Sequence, residues 1–401
     1  MELETIKALS IKTDSKILLL VMDGCGGLGN PSTGKTELET AKKPNLDKLL
    51  KNGVFGLAHP VGRGITPGSG PAHLGLFGYD PLQYVIGRGV LEALGIGFHM
   101  TSRHISARAN FATMKDGVIL DRRAGRIPTE VNLALVAKLT EAIKEIDGVK
   151  IIFKNGKEHR FVVILEGDGL EDGLGETDPQ KEGLKPHLVT ALNPKAQKAA
   201  DVLNKLMLKI NEALKNEPKA NTCLLRGIAK CPHIPSMNEV FKIKPACIAN
   251  YPMYKGLATL VGMDLLATGD TIKSEFDTLE ANFEKYDFFY MHIKKTDSYG
   301  EDGNFENKVK IIEEVDREIP RLEKLGFDVI TVTGDHSTPA VLKGHSWHPN
   351  PFGLAAKYLI PDEFETFNER TCKKGGLGQF LSVEAMPLML GHARKLEKYG
   401  A

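Results

Sequence analysis

The chain has 401 residues, 42% of them hydrophobic, which is enough to fill the cores of two or three domains. Its 52 Lys and Arg balance 51 Asp and Glu to a net charge of +1, so bulk charge gives no reason to expect a nucleic-acid or membrane partner. Five scattered cysteines without a CxxC, an N-terminal stretch without a secretory apolar run, and no run near ~20 apolar residues together argue for a reducing, cytoplasmic compartment.

"ILLLVM" (17–22) predicts a short buried strand, ended by "DGCGG". "PNLDKLLKNG" (44–53) predicts a helix, with Pro44 near its start and Gly53 past its end. "ITPGSGPAHLGLFGYDP" (65–81) reads as a loop that turns helical near Ala72, and "RGVLEALG" (88–95) as a second short helix. From about residue 105 the texture changes. "NFATMKDGVILD" and "VKIIFKNGKEHRFVVILEG" predict hairpins turning at "KDG" and "NG". "EVNLALVAKLTEAIKE" and "AQKAADVLNKLMLKINEALKN" predict helices, and "ANTCLLRG" a strand.

"KPACIANYP" returns to a parallel sheet, and "YDFFYMHIK" and "FDVITVT" predict further buried strands. Between the last two lies the helix "FENKVKIIEEVDREIPRLEKLG", with a kink expected near Pro320. Continuous apolar strands alternating with helices indicate an open, mostly parallel α/β sheet flanked by helices. The expectation is one α/β domain, residues 1–104 and 239–401, interrupted by an inserted α+β domain at 105–238. Only four glutamines occur, a composition that favours a hot habitat.

"GNPSTGKT" (29–36) satisfies the phosphate-loop pattern GxxxxGK[ST], but its setting does not. The preceding strand ends near Met22, leaving six residues between it and Gly29; Pro31 removes an amide, and Pro44 follows within eight residues of Thr36. A surface loop entering a short helix is the expected structure, with no nucleotide.

Ligands of open α/β sheets gather beyond the carboxyl ends of the strands. Three apolar strands here end in ionisable groups. Asp23 follows the first; Asp297, Glu301 and Asp302 follow "YDFFYMHIK"; Asp335 and His336 follow "FDVITVT", with His345 and His348 beyond. Converging carboxylates repel, and bound cations relieve this. Mixed Asp and His donors suit Mn²⁺ or Zn²⁺, with Co²⁺ or Mg²⁺ as alternatives. Two such ions could activate a nucleophile and neutralise a transferring phosphoryl group.

Ser69, in "PGSGPA", fits that nucleophile. Its flanking glycines allow close approach, and the helix that follows offers free amides to an anion. "DRRAGR" supplies Arg122, Arg123 and Arg126, near Arg108, His159-Arg160 and Arg226, as a small anion pocket.

At these residues the sequence resembles the archaeal-type cofactor-independent phosphoglycerate mutases of the alkaline phosphatase superfamily. The matching stretches span nearly the whole chain and include "VMDGCGG", "GKTELETAKKPNLDKL", "PGSGPAHLGLFGYDP", "NFATMKDGVILDRRAGR", "NYPMYKGLATLVGMD" and "TGDHSTPA". The resemblance implies interconversion of 3-phosphoglycerate and 2-phosphoglycerate through a phosphoserine on Ser69, without 2,3-bisphosphoglycerate.

It also implies one metal held by Asp23, Ser69, Asp335 and His336, and a second held by Asp297, Glu301 and His345. Arg122, Arg123, Arg126, Arg226 and Lys255 are implied to grip phosphate and carboxylate, with the inserted domain as substrate-binding lid. The partner is then a small phosphorylated three-carbon acid, not nucleic acid or membrane, and self-association is compatible with it.

The chain departs from the family where D-x-x-x-H reads "DSYGE", with Glu301 in the histidine's place. Ala109, Trp347, His348 and the acidic "LEGDGLEDGLGETDP" depart as well. Two further readings share the chemistry: a phosphotransferase or phosphatase for another small phosphate ester, and a non-catalytic metal-binding homologue.

Overall fold

The computed structural model describes residues 3–400; the ends of the expected domain ranges, Met1, Glu2 and Ala401, lie outside the described residues. In chain order the strands are β1 (Ile17–Met22), β2 (Val54–His59), β3 (His104–Lys115), β4 (Val118–Asp121), β5 (Glu145–Ile146), β6 (Val149–Asn155) and β7 (Arg160–Glu166). There follow β8 (Thr222–Lys230), β9 (Pro245–Ala249), β10 (Asp264–Leu265), β11 (Phe288–Ile293), β12 (Val329–Thr333), β13 (Asn350–Ala356) and β14 (Gly378–Leu381). The chain forms two compact units, one from residues 1–85 and 234–401, the other from 86–233.

The first unit is built on an eight-stranded sheet of order β10-β9-β11-β1-β12-β13-β2-β14. β1, β9, β11 and β12 are buried along their whole length, which is why they read as unbroken apolar runs rather than alternating ones. β1 is central and pairs in parallel with β11 and β12. Its register sets Met22 beside Ile293 and Val21 beside Thr333. Three strands therefore end at one level, and whatever follows them in sequence meets in space.

β13 runs antiparallel to both β12 and β2, and β14 parallel to β2. None of β2, β13 and β14 was expected from the sequence. "VFGLAH" and "NPFGLAA" carry glycine or proline inside the run, which blunts a strand signal.

The helix Ser69–Leu76 begins at Ser69 itself, with Gly68 as its cap residue, rather than near Ala72. The long helix after β11 ends at Glu318, and a short second helix, Pro320–Glu323, follows the expected break. The "GNPSTGKT" segment closes on itself. Asn30 O accepts from Thr33 N and Gly34 N, and Asn30 Oδ1 accepts from Ser32 N, before Thr36 caps the four-residue helix Glu37–Thr40. Amides that would cradle a phosphate are spent on these turns.

The second unit holds a six-stranded antiparallel sheet of order β4-β3-β7-β6-β5, with β8 also paired to β3. Helix Gln197–Leu214 buries Ala199, Val202, Leu203, Leu206, Ile210 and Leu214, a helical spacing that puts one apolar stripe into this unit's core. Burying each large aliphatic side chain contributes about 1.5–3 kcal/mol. The unit starts ahead of residue 105 because helix Arg88–Gly95 packs onto its sheet. A Cβ on Gly89 would lie 2.3 Å from Ser106 O, so only glycine permits the approach. All five cysteines are buried and unpaired. Among the described residues, no helix is long and apolar enough to cross a membrane.

Candidate active site

The level ends of β1, β11 and β12 deliver Asp23, Lys294 with Asp297, and Asp335 with His336 to one place in the first unit. Asp23, Asp335 and His336 are wholly buried, whereas Ser69 is partly exposed. His336 Nε2 stands 3.4 Å from Asp23 Oδ1, 3.1 Å from Asp335 Oδ2 and 3.3 Å from Ser69 Oγ. The other oxygen of Asp23 is tied down. Tyr254 OH donates to Oδ2, with Lys294 Nζ at 3.0 Å and His292 Nε2 at 3.3 Å. Asp335 Oδ1 accepts from Gly24 N at 3.0 Å. Ser69 is fixed by its own helix, where its carbonyl accepts from His73 Nδ1 at 2.9 Å.

A second cluster adjoins the first. His345 Nε2 lies 3.6 Å from Asp297 Oδ1 and 3.7 Å from Glu301 Oε1. His345 Nδ1 is 2.9 Å from Pro67 O, so it carries a proton and turns Nε2 toward the two carboxylates. The imidazoles of His336 and His345 stack with centroids 3.7 Å apart. Lys294 Nζ donates to Asp297 Oδ2 as well as reaching Asp23, and so spans the two clusters.

The tautomer of His336 follows from counting protons. Thr338 Oγ1 donates its single proton to Asp297 Oδ1 at 2.7 Å. The same oxygen is 3.0 Å from His336 Nδ1, so it accepts there, and Nδ1 is the protonated nitrogen. His336 Nε2 therefore presents a lone pair to two carboxylate oxygens.

Electrostatics agree with this count. Burial would push the Asp23 carboxyl up, but the adjacent His292 and the charge of Lys294 outweigh it and hold it well below the usual carboxylate range. Burial, then the neighbouring Asp23 charge, pushes Asp335 well above that range. Burial pushes His336 down to about 4 and His73 to about 3, so both imidazoles are neutral. Lys294 is held firmly protonated by Asp23 and Asp297 despite its burial. Partial burial and the Asp297 charge raise Glu301.

These donors fit divalent cations. Asp23 Oδ1 and Asp335 Oδ2 are buried without a hydrogen-bond partner, and they converge with the lone pair of His336. Two groups of mutually close donors could each hold an ion: Asp23, Asp335 and His336, and Asp297, His336 and His345. A cation is the missing charge that lets two adjacent carboxylates stay ionised beside neutral imidazole.

The cationic candidates are arranged differently. In the second unit Arg122 grips Asp178 through both Nε and Nη2, at 2.9 and 2.7 Å. Arg226 Nε lies 3.5 Å from the same carboxylate. Arg108, directly across from Arg226 in the β3–β8 register, reaches Glu92 at 3.2 Å. Arg123 and Arg126 are exposed. Lys255 lies in the first unit, half-buried on helix Pro252–Leu260 beside Tyr254.

Residues 51–220 match the family profile described as 2,3-bisphosphoglycerate-independent phosphoglycerate mutase. The chain is 53% identical over 409 residues to the "Probable 2,3-bisphosphoglycerate-independent phosphoglycerate mutase" of Aquifex aeolicus, covering 100% of both chains. It belongs to that mutase family.

Its Thermus thermophilus relative of the same description is 52% identical over 99% of this chain and 98% of its own. The solved cofactor-independent phosphoglycerate mutase of Thermoplasma acidophilum superposes with a TM-score of 0.79 at 31% identity, covering 94% of this chain and 100% of the other.

In this member of the mutase family, Asp23, Ser69, Asp297, Glu301, Asp335, His336 and His345 come together in one unit. In the other, Arg122 shares Asp178 with Arg226, while Arg123 and Arg126 are exposed and take no part in that grouping. Sequence reading missed Lys294, Thr338, Tyr254 and Asp178. Lys294 had a signal, since it directly follows the buried run "FFYMHI". Thr338 sits inside "GDHSTPA" but looks like an ordinary turn residue. Tyr254 and Asp178 lie 231 and 56 residues from the side chains they bond, so no local pattern could couple them.

Proposed function

We propose that this chain interconverts 3-phosphoglycerate and 2-phosphoglycerate through a phosphoserine on Ser69, using two divalent metal ions and neither 2,3-bisphosphoglycerate nor a nucleotide. The observation that carries the reading is a partly exposed Ser69 Oγ, 3.3 Å from His336 Nε2 and beside two partnerless carboxylate oxygens, in a mutase-family chain.

Asp23, Ser69, Asp335 and His336 would hold one ion; Asp297, Glu301 and His345 would hold the other, with Mn²⁺ or Zn²⁺ suited to these donors. When bound, such ions lower the pKa of a coordinated hydroxyl and neutralise phosphoryl oxygens. Ser69 loses its proton as Oγ attacks phosphorus. The bond from phosphorus to the glycerate oxygen then breaks, and that oxygen takes up a proton. The same glycerate, turned, attacks the phosphoserine with its other hydroxyl, which gives up its proton; the bond from phosphorus to Ser69 Oγ breaks and Oγ takes a proton back. Arg122, Arg123, Arg126, Arg226 and Lys255 are assigned to hold phosphate and carboxylate, because guanidinium forks match both groups.

The test is purified protein with Mn²⁺ and 3-phosphoglycerate, reading 2-phosphoglycerate and free phosphate separately. Accumulating 2-phosphoglycerate without phosphate supports the mutase. Phosphate without 2-phosphoglycerate supports a phosphatase instead.

A further inference from the structure

The two cation clusters share no carboxylate; they meet at His336, Lys294 reaches an acid of each, and one hydroxyl ties the shared imidazole to Asp297. Thr338 is wholly buried. Its Oγ1 donates to Asp297 Oδ1 of one cluster at 2.7 Å and stands 3.0 Å from Nδ1 of His336, on which the other cluster converges. Because the hydroxyl has only one proton and Asp297 takes it, the bond to His336 forms only if Nδ1 carries the imidazole proton. That condition is what frees Nε2 toward Asp23, Asp335 and Ser69. The same hydroxyl fills one lone pair of Asp297 Oδ1 and so restricts how that carboxylate can turn.

The surrounding main chain fixes this placement. Thr338 N donates to Gly24 O at 3.2 Å and Gly26 O at 3.1 Å, and Thr338 O accepts from the buried Lys308 Nζ at 2.9 Å. Lys308 also donates to Gly24 O and Gly26 O, which ties the loop after β1 to the loop after β12. Gly24, at φ +60°, has no room for a side chain: a Cβ there would lie 2.5 Å from Thr338 Oγ1 and 2.8 Å from Asp297 Oδ1. A Cβ on Gly300 would meet Thr338 O at 2.4 Å. The chain thus gives up side chains on two sides to bring this hydroxyl in.

We propose that Thr338 is a positioning residue that couples the two ion sites, setting the His336 tautomer and the Asp297 orientation with one hydroxyl. The inference rests on the two-metal reading above. Its chemistry is that of outer-sphere hydrogen bonds in general, which orient ligands and change metal affinity by about 10–100-fold.

The experiment is calorimetric titration of metal-free protein with Mn²⁺, comparing wild type with Thr338→Val and Thr338→Ser, each checked by circular dichroism and thermal melting. Wild type is expected to bind two ions. Thr338→Val, equal in shape but without the hydroxyl, should weaken both sites by about 10-fold or more. Thr338→Ser should stay within about threefold of wild type.

A wild type that binds fewer than two ions overturns the two-metal reading and this inference with it. Two ions bound by wild type, with Thr338→Val weakened at neither site or at one only, overturns the coupling alone. So does Thr338→Ser behaving like valine, because a packing role would not be rescued by the hydroxyl. If Thr338→Val melts far below wild type, Thr338→Ala takes its place and must weaken both sites too, while Thr338→Ser must not.

Discussion

The two units of this mutase-family chain gather charge in opposite ways. In the first, Asp23, Asp297, Asp335 and His336 are buried at the ends of in-register strands, and nearly every atom has a fixed neighbour. In the second, Arg123 and Arg126 are exposed and Arg122 and Arg226 half-buried, held by one carboxylate, Asp178. Burial makes the first set rigid and costly, so it needs a cation to balance it. Exposure makes Arg123 and Arg126 cheap to keep charged, whereas Arg122 and Arg226 stay charged because the buried Asp178 neutralises them. Under the proposed function, the first kind of site would carry the bond-making chemistry and the second would hold substrate.

The largest expected effect lies in the rigid set. Ser69→Ala should lower mutase turnover by on the order of 10⁴–10⁶-fold with the melting temperature unchanged. A coupled assay that finds normal turnover in this variant would sink the assignment of the nucleophile.

Chelating the metal separates the units next. At an ion concentration about 100 times Kd, each bound ion adds about 2.7 kcal/mol to the folded state, all of it lost to EDTA. Hydrogen exchange should then rise in the loops at 23–27 and 334–340, while β3, β7 and β8 stay as protected as before. Equal deprotection of both units would erase the contrast between them.

Within the compliant set, Arg122 and Arg123 should part company. Arg123→Ala is expected to raise KM about tenfold with no change in melting, since the side chain is exposed. Arg122→Ala should raise KM and also cost about 1–3 kcal/mol, because Asp178 loses its bidentate partner while staying buried. Matching melting curves for the two variants would show that the Arg122–Asp178 pair has no structural role.

The effect that leaves the metal ligands and the arginines untouched is a pH dependence of stability in the first unit. Burial pushes Glu275 up to about 8 from an ordinary 4.5, although Lys295 opposes the shift. Between those values the folded protein keeps a proton that the unfolded chain has lost. Stability therefore falls as pH rises from about 4.5 to 8 and stays lower above that. Glu275→Gln should flatten this part of the profile. A melting-temperature difference between pH 5 and pH 8 that is the same in both proteins would remove Glu275 as its source.

Much of the active cluster was legible in the primary structure because strand ends are local events. "ILLLVM" stops at Asp23 and "FDVITVT" at Gly334-Asp335-His336, and the apolar runs alone say that both strands are buried. Ser69 stood out because flanking glycines allow a ligand to approach the backbone closely just before a helix with free amides. The arginines of "DRRAGR" were visible as a cluster, but their partner was not. Asp178 lies 56 residues from Arg122, inside an acidic stretch with no periodicity. Likewise "NPFGLAA" forms the antiparallel β13 only because β2 and β12 flank it; alone, its proline and glycine argue against a strand.

The sequence by itself thus determined which residue types stand at the strand ends, and hence the class of chemistry. Strand ends follow from short-range patterning and need no knowledge of what lies alongside. Tertiary structure alone decided the register that levels β1 with β11 and β12, the proton count at Thr338 that fixes the His336 tautomer, and the Tyr254, His292 and Lys294 contacts that leave one Asp23 oxygen open. Each of these depends on hydrogen bonds between segments distant in the chain, whose geometry is set when the sheet closes and by nothing local to any of them.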